Sequence, residues 1–259
     1  MSRIGRRILR CAVVVVPFAV CGLAACGGNT DETGGSVGTE CTGDADCRGG
    51  LICLASNDAT TSSGGPAHGY CTKECDAEPG AACDDLDARC WTLLMGPAKH
   101  CLLSCIPGLP GVCHGREDLA CMLISGDTGL CVPVCASDDD CDPEFCHPGT
   151  GFCVSNPAVS DPIGTPCTAV MSPYSTCKAC LGLGGGPPEP GVCSKVCVAT
   201  RSDACGDGAR CIALGTGVAP KPGTLGWCYQ SCATDGECLS GSPAQCVPDA
   251  SGQGVCKAP

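Results

Sequence analysis

The sequence predicts a small disulfide-rich fold: a tandem array of seven four-cysteine modules built on short β-hairpins, with little helix outside an N-terminal signal peptide. Three observations predict it. Cysteine supplies 31 of 259 residues, a density at which disulfides take over from a conventional hydrophobic core. Phe, Trp and Tyr contribute only 3, 2 and 3 residues, too few to provide the large buried side chains of an ordinary domain of this length. Glycine and proline add 38 and 21 residues, so the backbone turns often and long helices are disfavoured. A TIM barrel, a Rossmann fold and a helical bundle are all disfavoured by this composition.

Residues 1–25 read as a targeting segment. Arg3, Arg6, Arg7 and Arg10 form a basic region, and Cys11 to Ala25 is apolar except for a proline and a glycine. Fifteen residues at about 1.5 Å each fall short of the roughly 30 Å hydrocarbon core, so a permanent spanning helix is not expected. The segment ends in Leu23-Ala24-Ala25-Cys26, followed by Gly27 and Gly28. This resembles the lipobox of bacterial lipoproteins. The resemblance implies cleavage before Cys26, acylation of Cys26 (palmitate among the acyl chains), and, with Gly27 where an inner-membrane retention signal has Asp, an outer-membrane address. Arg6-Arg7 is a weak match to a twin-arginine signal, and a chain that folds by oxidation is better exported unfolded.

Once the signal is removed and Cys26 is assigned to lipid, 28 cysteines remain between Cys41 and Cys256, about one every eight residues. That density belongs to oxidising compartments. Two cysteines separated by three residues recur at Cys71 and Cys75, Cys101 and Cys105, Cys131 and Cys135, Cys193 and Cys197, and Cys228 and Cys232. With these pairs as junctions, seven units of four cysteines begin at Cys41, Cys75, Cys105, Cys135, Cys167, Cys197 and Cys232. They account for all 28. Gly stands two positions before the closing cysteine in six units (Gly69, Gly129, Gly151, Gly191, Gly226, Gly254), with Lys99 the exception. Units one, four and seven also share a Cys-x-x-Asp-x-Asp/Glu-Cys step (Cys41 to Cys47, Cys135 to Cys141, Cys232 to Cys238), which hints at a three-unit super-repeat. Asx-turns at these acids are expected to close the loop before the second cysteine.

Units this small cannot fold on an apolar core alone and are expected to depend on disulfides, each worth about 3 kcal/mol by the chain-entropy account. Four cysteines per unit allow three connectivities, and spacing does not choose among them. Within each unit the third and fourth cysteines flank a bend, as in Cys146-His-Pro-Gly-Thr-Gly-Phe-Cys153, the pattern of a short hairpin. On spacing, the Asp-x-Asp-Cys step and the Gly-x-Cys closure, residues 41–256 resemble the cysteine-rich repeats of bacterial outer-membrane lipoproteins. More loosely they resemble EGF-like and Dickkopf N-terminal modules, although no unit has the six-cysteine spacing of a true EGF module. Small extracellular modules of this kind imply first-to-third and second-to-fourth pairing: Cys41 with Cys53 and Cys47 with Cys71, and in unit four Cys135 with Cys146 and Cys141 with Cys153.

The expected organisation is therefore residues 1–25 as lipoprotein signal peptide, 26–40 as a lipidated flexible tether, 41–153 as modules one to four, 154–166 as a proline-containing linker, and 167–256 as modules five to seven. Gly-, Ser- and Pro-rich inserts at 58–69, 181–191 and 213–226 read as exposed hairpin loops. Loss of the four signal arginines leaves 11 basic residues against 27 acidic and a net charge near −16. Nucleic acid is thus not an expected partner, and membrane contact is expected through the lipid alone.

Candidate chemistry is sparse. Cys177-Lys-Ala-Cys180 has the spacing of a redox dithiol but lies inside unit five, where a structural disulfide is expected. His100, His114 and His147 each adjoin a cysteine, but zinc needs reduced thiolates and these histidines read as solvent-facing loop residues. Asp138, Asp140, Asp142 and Glu144 concentrate oxygen ligands and are weak calcium candidates, without an EF-hand pattern. Tyr70, Phe152 and Trp227 precede closing cysteines and are expected to pack on their own disulfides. No cofactor, no catalytic residue and no enzyme activity is implied. The expectation is a structural or protein-binding element of the bacterial envelope, anchored by lipid at the outer membrane on its periplasmic or exposed side. Extracytoplasmic calcium binding is the alternative.

Overall fold

The computed structural model describes residues 34–56, 64–84, 87–93, 98–157, 161–168, 177, 179–182, 190–199, 201, 204–214, 221–238 and 244–257. The signal peptide, Cys26 and residues 27–33 lie outside this set. Every described element belongs to one compact unit. Among the described residues there are short strands, four 3-10 turns and no α-helix.

The strands fall module by module. Module one holds β1 (Ile52–Leu54) and β2 (Tyr70–Thr72), and module two β3 (Ala88–Thr92) and β4 (Lys99–Cys105). Module three holds β5 (Leu119–Ser125) and β6 (Thr128–Pro133), and module four β7 (Phe145–Cys146) and β8 (Cys153–Val154). Module five holds β9 (Pro166–Thr168), β10 (Cys180–Gly182) and β11 (Pro190–Cys193). Module six holds β12 (Val196–Val198), β13 (Ala209–Ala213) and β14 (Leu225–Cys232), and module seven β15 (Gln245–Pro248) and β16 (Gly254–Lys257).

One register repeats in all seven hairpins: the third cysteine stands directly opposite the fourth. Yet these neighbours are not bonded to each other. Fourteen disulfides join first to third and second to fourth in every module, from Cys41–Cys53 and Cys47–Cys71 to Cys232–Cys246 and Cys238–Cys256. Module four follows the same rule, with Cys135–Cys146 and Cys141–Cys153.

Glycine at the closing step has a geometric cause. In modules three, five, six and seven the fourth-cysteine strand is central, flanked by the first- and third-cysteine strands, and the first cysteine faces the glycine: Cys105 opposite Gly129, Cys167 opposite Gly191, Cys197 opposite Gly226, Cys232 opposite Gly254. The first-to-third bridge therefore crosses over the central strand at that glycine. Strands two apart in a flat sheet are about 9.6 Å apart, whereas the bridged Cα atoms here are 5.8–5.9 Å apart, so the flanking strands curl over it. A Cβ on any of the four glycines would lie 2.6–2.8 Å from the third cysteine's sulfur. Nothing in the structure explains why module two accepts Lys99 there.

The three-residue junction lets one strand serve two modules. Cys101 and Cys105 lie on β4, and Cys228 and Cys232 on β14, so the strand that closes one hairpin opens the next. Modules also touch three places apart in sequence. Gly65, in the insert of module one, exchanges both backbone hydrogen bonds with Cys153 of module four at 2.8 and 3.1 Å. Gly223, in the insert of module six, accepts the Cys121 N–H of module three at 2.7 Å. The described ends of these two inserts are thus docked at Gly65, Pro66 and Gly223, with Pro66 fully buried, while His68, Leu214 and Pro222 are exposed as expected; residues 57–63, 183–189 and 215–220 lie outside the described set.

Two further expectations are corrected. Residues 34–40 do not form tether: Val37 is 1% exposed, Gly35 bridges Cys47, and the Cys71 N–H donates to Thr39. Apolar packing also contributes more than disulfides alone would need. Val37, Leu54, Tyr70, Leu102, Leu119, Leu130, Val132, Phe152, Val196 and Leu225 form one buried cluster drawn from modules one to four and six. Modules too small for a core of their own share one. Tyr70 and Phe152 enter it, and Trp227 packs against its edge, instead of merely covering their own disulfides.

Candidate functional site

The acidic steps are built for structure first. In modules one, four and seven the chain after the first cysteine makes a 3-10 turn at Asp44–Asp46, Asp138–Cys141 and Asp235–Glu237. The leading aspartate reaches across the module to the third cysteine: Asp44, Asp138 and Asp235 each accept the N–H of Cys53, Cys146 or Cys246 at 2.8 Å. The second acid reaches back four residues. Asp46, Asp140 and Glu237 accept the N–H of Thr42, Ala136 and Ala233 at 2.7, 2.6 and 2.6 Å. The expected forward Asx-turns are thus replaced by these backward bonds and by bonds to the third cysteine of the same module, because the orphan N–H groups at the turn start and on the hairpin edge have no other partner. The Thr42 N–H, with the Thr42 hydroxyl, also holds the Asp46 carboxyl below its ordinary pKa.

The calcium candidates follow one another in module four, with Asp138 and Asp140 on the 3-10 turn Asp138–Cys141 and Asp142 and Glu144 just after it. Asp138 and Asp140 carry the backbone bonds just described, and Asp140 also faces Arg201 at 3.6 Å. Asp142 is exposed, and Glu144 is half-buried with Oε2 shielded and without a hydrogen-bond partner.

Among the described residues the cysteine sulfurs offer no thiolate. Groups of three lie within 4.8 Å of one another in several modules, as at Cys41, Cys47 and Cys71, because two disulfides stack side by side there. Cys177 and Cys180 join Cys193 and Cys167, so the C-x-x-C pair belongs to two different bridges. The histidines separate: His114 is exposed and hydrogen-bonds Val37 O at 3.1 Å, His147 is half-buried, and His100 is 2% exposed on β4. His100 therefore departs from the solvent-facing expectation, because its strand is covered on both faces.

Two residues organise the centre: Arg116, which the sequence reading passed over, and Tyr70, whose hydroxyl contacts it did not foresee. Arg116 is paired with Asp118 through Nε–Oδ1 at 2.9 Å, with side-chain exposures of 9% and 6%. Its other nitrogens donate to the carbonyls of Gly38 at 3.1 Å and Gly69 at 2.9 Å, which clamps module three onto module one. The Tyr70 hydroxyl accepts the Leu103 N–H at 2.9 Å and donates to the Cys131 carbonyl at 3.3 Å. Burial raises its pKa. No local sequence signal marks either contact, since the partners lie far along the chain.

Surface features remain. A cleft of about 760 Å³ opens between modules three and six, lined by Leu109, Val112, Arg116, Glu117, Val198 and Arg201 among others. Ile106 and Leu109, on the loop that forms its rim, are 49% and 54% exposed. Four of the five Arg116 guanidinium N–H groups are taken up by Asp118, Gly38 and Gly69, and the cleft carries polar and apolar groups alike. The rim loop is fixed to module six by Gly108 N–H to Pro222 O at 3.0 Å, and the β5–β6 turn by the Asp127–Lys221 pair at 2.8 Å. No family model, curated protein or solved structure matches the chain.

Proposed function

We propose that this chain is a non-enzymatic lipoprotein of the bacterial outer membrane, anchored through Cys26, whose disulfide-bonded body serves as a structural or protein-binding element of the envelope. The observation that carries the reading is the assignment of its reactive side chains to internal work. Twenty-eight cysteines are in disulfides, the repeated acids hold backbone N–H groups, and Arg116 clamps two modules, while Ile106 and Leu109 stay on the surface. Disulfides at this density support an extracytoplasmic setting. With residues 34–40 docked, the chain between Cys26 and Gly34 spans at most about 28 Å, so a lipid on Cys26 holds module one close to its membrane. The test is mass spectrometry and membrane fractionation of the exported protein beside its Cys26→Ser variant. Diacylglycerol mass on Cys26, with release of the variant to the soluble fraction, supports the reading; an unmodified Cys26 or an unchanged membrane share of the variant overturns it.

Calcium binding at the acidic turn of module four is a second reading, favoured by the shielded, unpartnered Oε2 of Glu144 beside exposed Asp142. Calorimetric titration decides it: absence of heat removes it.

A further inference from the structure

We infer that the outer edge of β13 is a strand-addition site for an extended, cationic segment of another protein. This gives the protein-binding reading above a location and rests on it. In an antiparallel pair that does not exchange hydrogen bonds, both residues turn their N–H and C=O groups outward. Cys211 and Cys228 form such a pair, because the Cys228 N–H is donated away from β13, to Lys195 O at 2.9 Å. By the period of two, Ala209, Cys211 and Ala213 direct their backbone groups off the free side of the sheet. In five other modules the equivalent third-cysteine N–H has an acceptor: the carboxylates of Asp44, Asp138 and Asp235, or the carbonyls of Ala81 and Gly223. Among the described residues, none serves β13.

Module three shows what fits such an edge. There the third-cysteine strand β5 is flanked by a short parallel segment, with Cys121 donating to Gly223 at 2.7 Å and bridging Thr224. That segment is extended, contains glycine, and follows Lys221, which pairs with Asp127 beside β5. β13 holds the same place in module six that β5 holds in module three. Strand addition draws affinity from backbone bonds and specificity from alternate side chains. Charge selects the occupant: the mature chain is near −16, and exposed Asp207 stands just before β13, so Lys or Arg is attracted and a second copy of this chain is repelled.

The test pans a random linear peptide library on the full mature protein with its disulfides intact. It repeats the binding on an Ala213→Pro variant. Proline at 213 removes one outward N–H and leaves the ladder to β14 in place. Ala209→Pro does the same at the first residue of the strand and replaces it if Ala213→Pro does not oxidise to the native mass. Expected are Lys- or Arg-containing peptides that slow amide exchange at Cys211 about tenfold or more and bind the proline variant at least about tenfold more weakly, the scale of one or two lost backbone bonds. The proposal is overturned if no peptide is enriched, if enriched peptides bind both proteins alike or leave Cys211 exchange unchanged, or if the edge proves to pair copies of this chain. A missing lipid on Cys26 would alter none of these outcomes, so the anchoring reading and this one fail separately.

Discussion

Gly226 lies directly across the ladder from Cys197, and a Cβ on it would stand 2.8 Å from the Cys211 sulfur and 2.5 Å from the Ile212 carbonyl oxygen. The first-to-third disulfide of module six occupies the space that any side chain here would need. Gly226→Ala is therefore expected to cost about 1–3 kcal/mol, the usual range for overpacking. Calorimetric unfolding with the disulfides intact checks it, and a neutral result would mean that the bridge does not pass over the central strand.

Arg116 and Asp118 make a different prediction, because removal of one partner strands a buried charge. Arg116→Met is expected to destabilise by about 3–5 kcal/mol, and the double variant Arg116→Met with Asp118→Leu to recover much of that loss. Denaturant unfolding of the two variants measures both numbers. A single substitution as mild as the double one would show that Asp118 reaches water.

Tyr70 tests the coupling of three modules through one hydroxyl. Tyr70→Phe leaves the Leu103 N–H and the Cys131 carbonyl buried without that partner, an expected loss of about 1–3 kcal/mol. The phenol's raised pKa has a sign that can be checked by alkaline titration. A group whose folded pKa lies above its unfolded value of 10.0 stabilises fully below that value and loses this contribution as pH rises through the folded pKa. Tyr70 should accordingly stay protonated when an unfolded tyrosine has ionised.

Asp46 gives the opposite pH dependence. Hydrogen bonds from Thr42 lower its pKa below 3.8, so the contribution of the turn is present above that value and is lost as pH falls through the lower folded value. Carboxyl titration by NMR is expected to show a midpoint for Asp46 below that of an unfolded aspartate, with the Thr42 amide signal moving in step. A normal midpoint would mean that the turn is open in solution.

The modular plan was legible because cysteine spacing is a covalent constraint written directly into the chain: seven sets of four, the Asp steps and the Gly-x-Cys closures can be counted. The role of Gly226 could not be read, since it depends on which strand becomes central. Arg116 reaches Gly38 across 78 residues and Tyr70 reaches Cys131 across 61, distances at which no periodicity speaks. Composition misled for residues 34–40, where polar residues and glycine surround one apolar Val37 that is enough to dock the segment. It misled again at His100, which lies on a covered strand.

The central claim, one connectivity repeated seven times, is tested most directly by disulfide mapping of the native mature protein through non-reducing proteolysis and mass spectrometry. The account predicts the loss of 28 hydrogens, no free thiol between Cys41 and Cys256, and linked peptides that join first to third and second to fourth cysteines in every module. Peptides that link the facing third and fourth cysteines, such as Cys211 with Cys228, or thiols free in quantity, would contradict it.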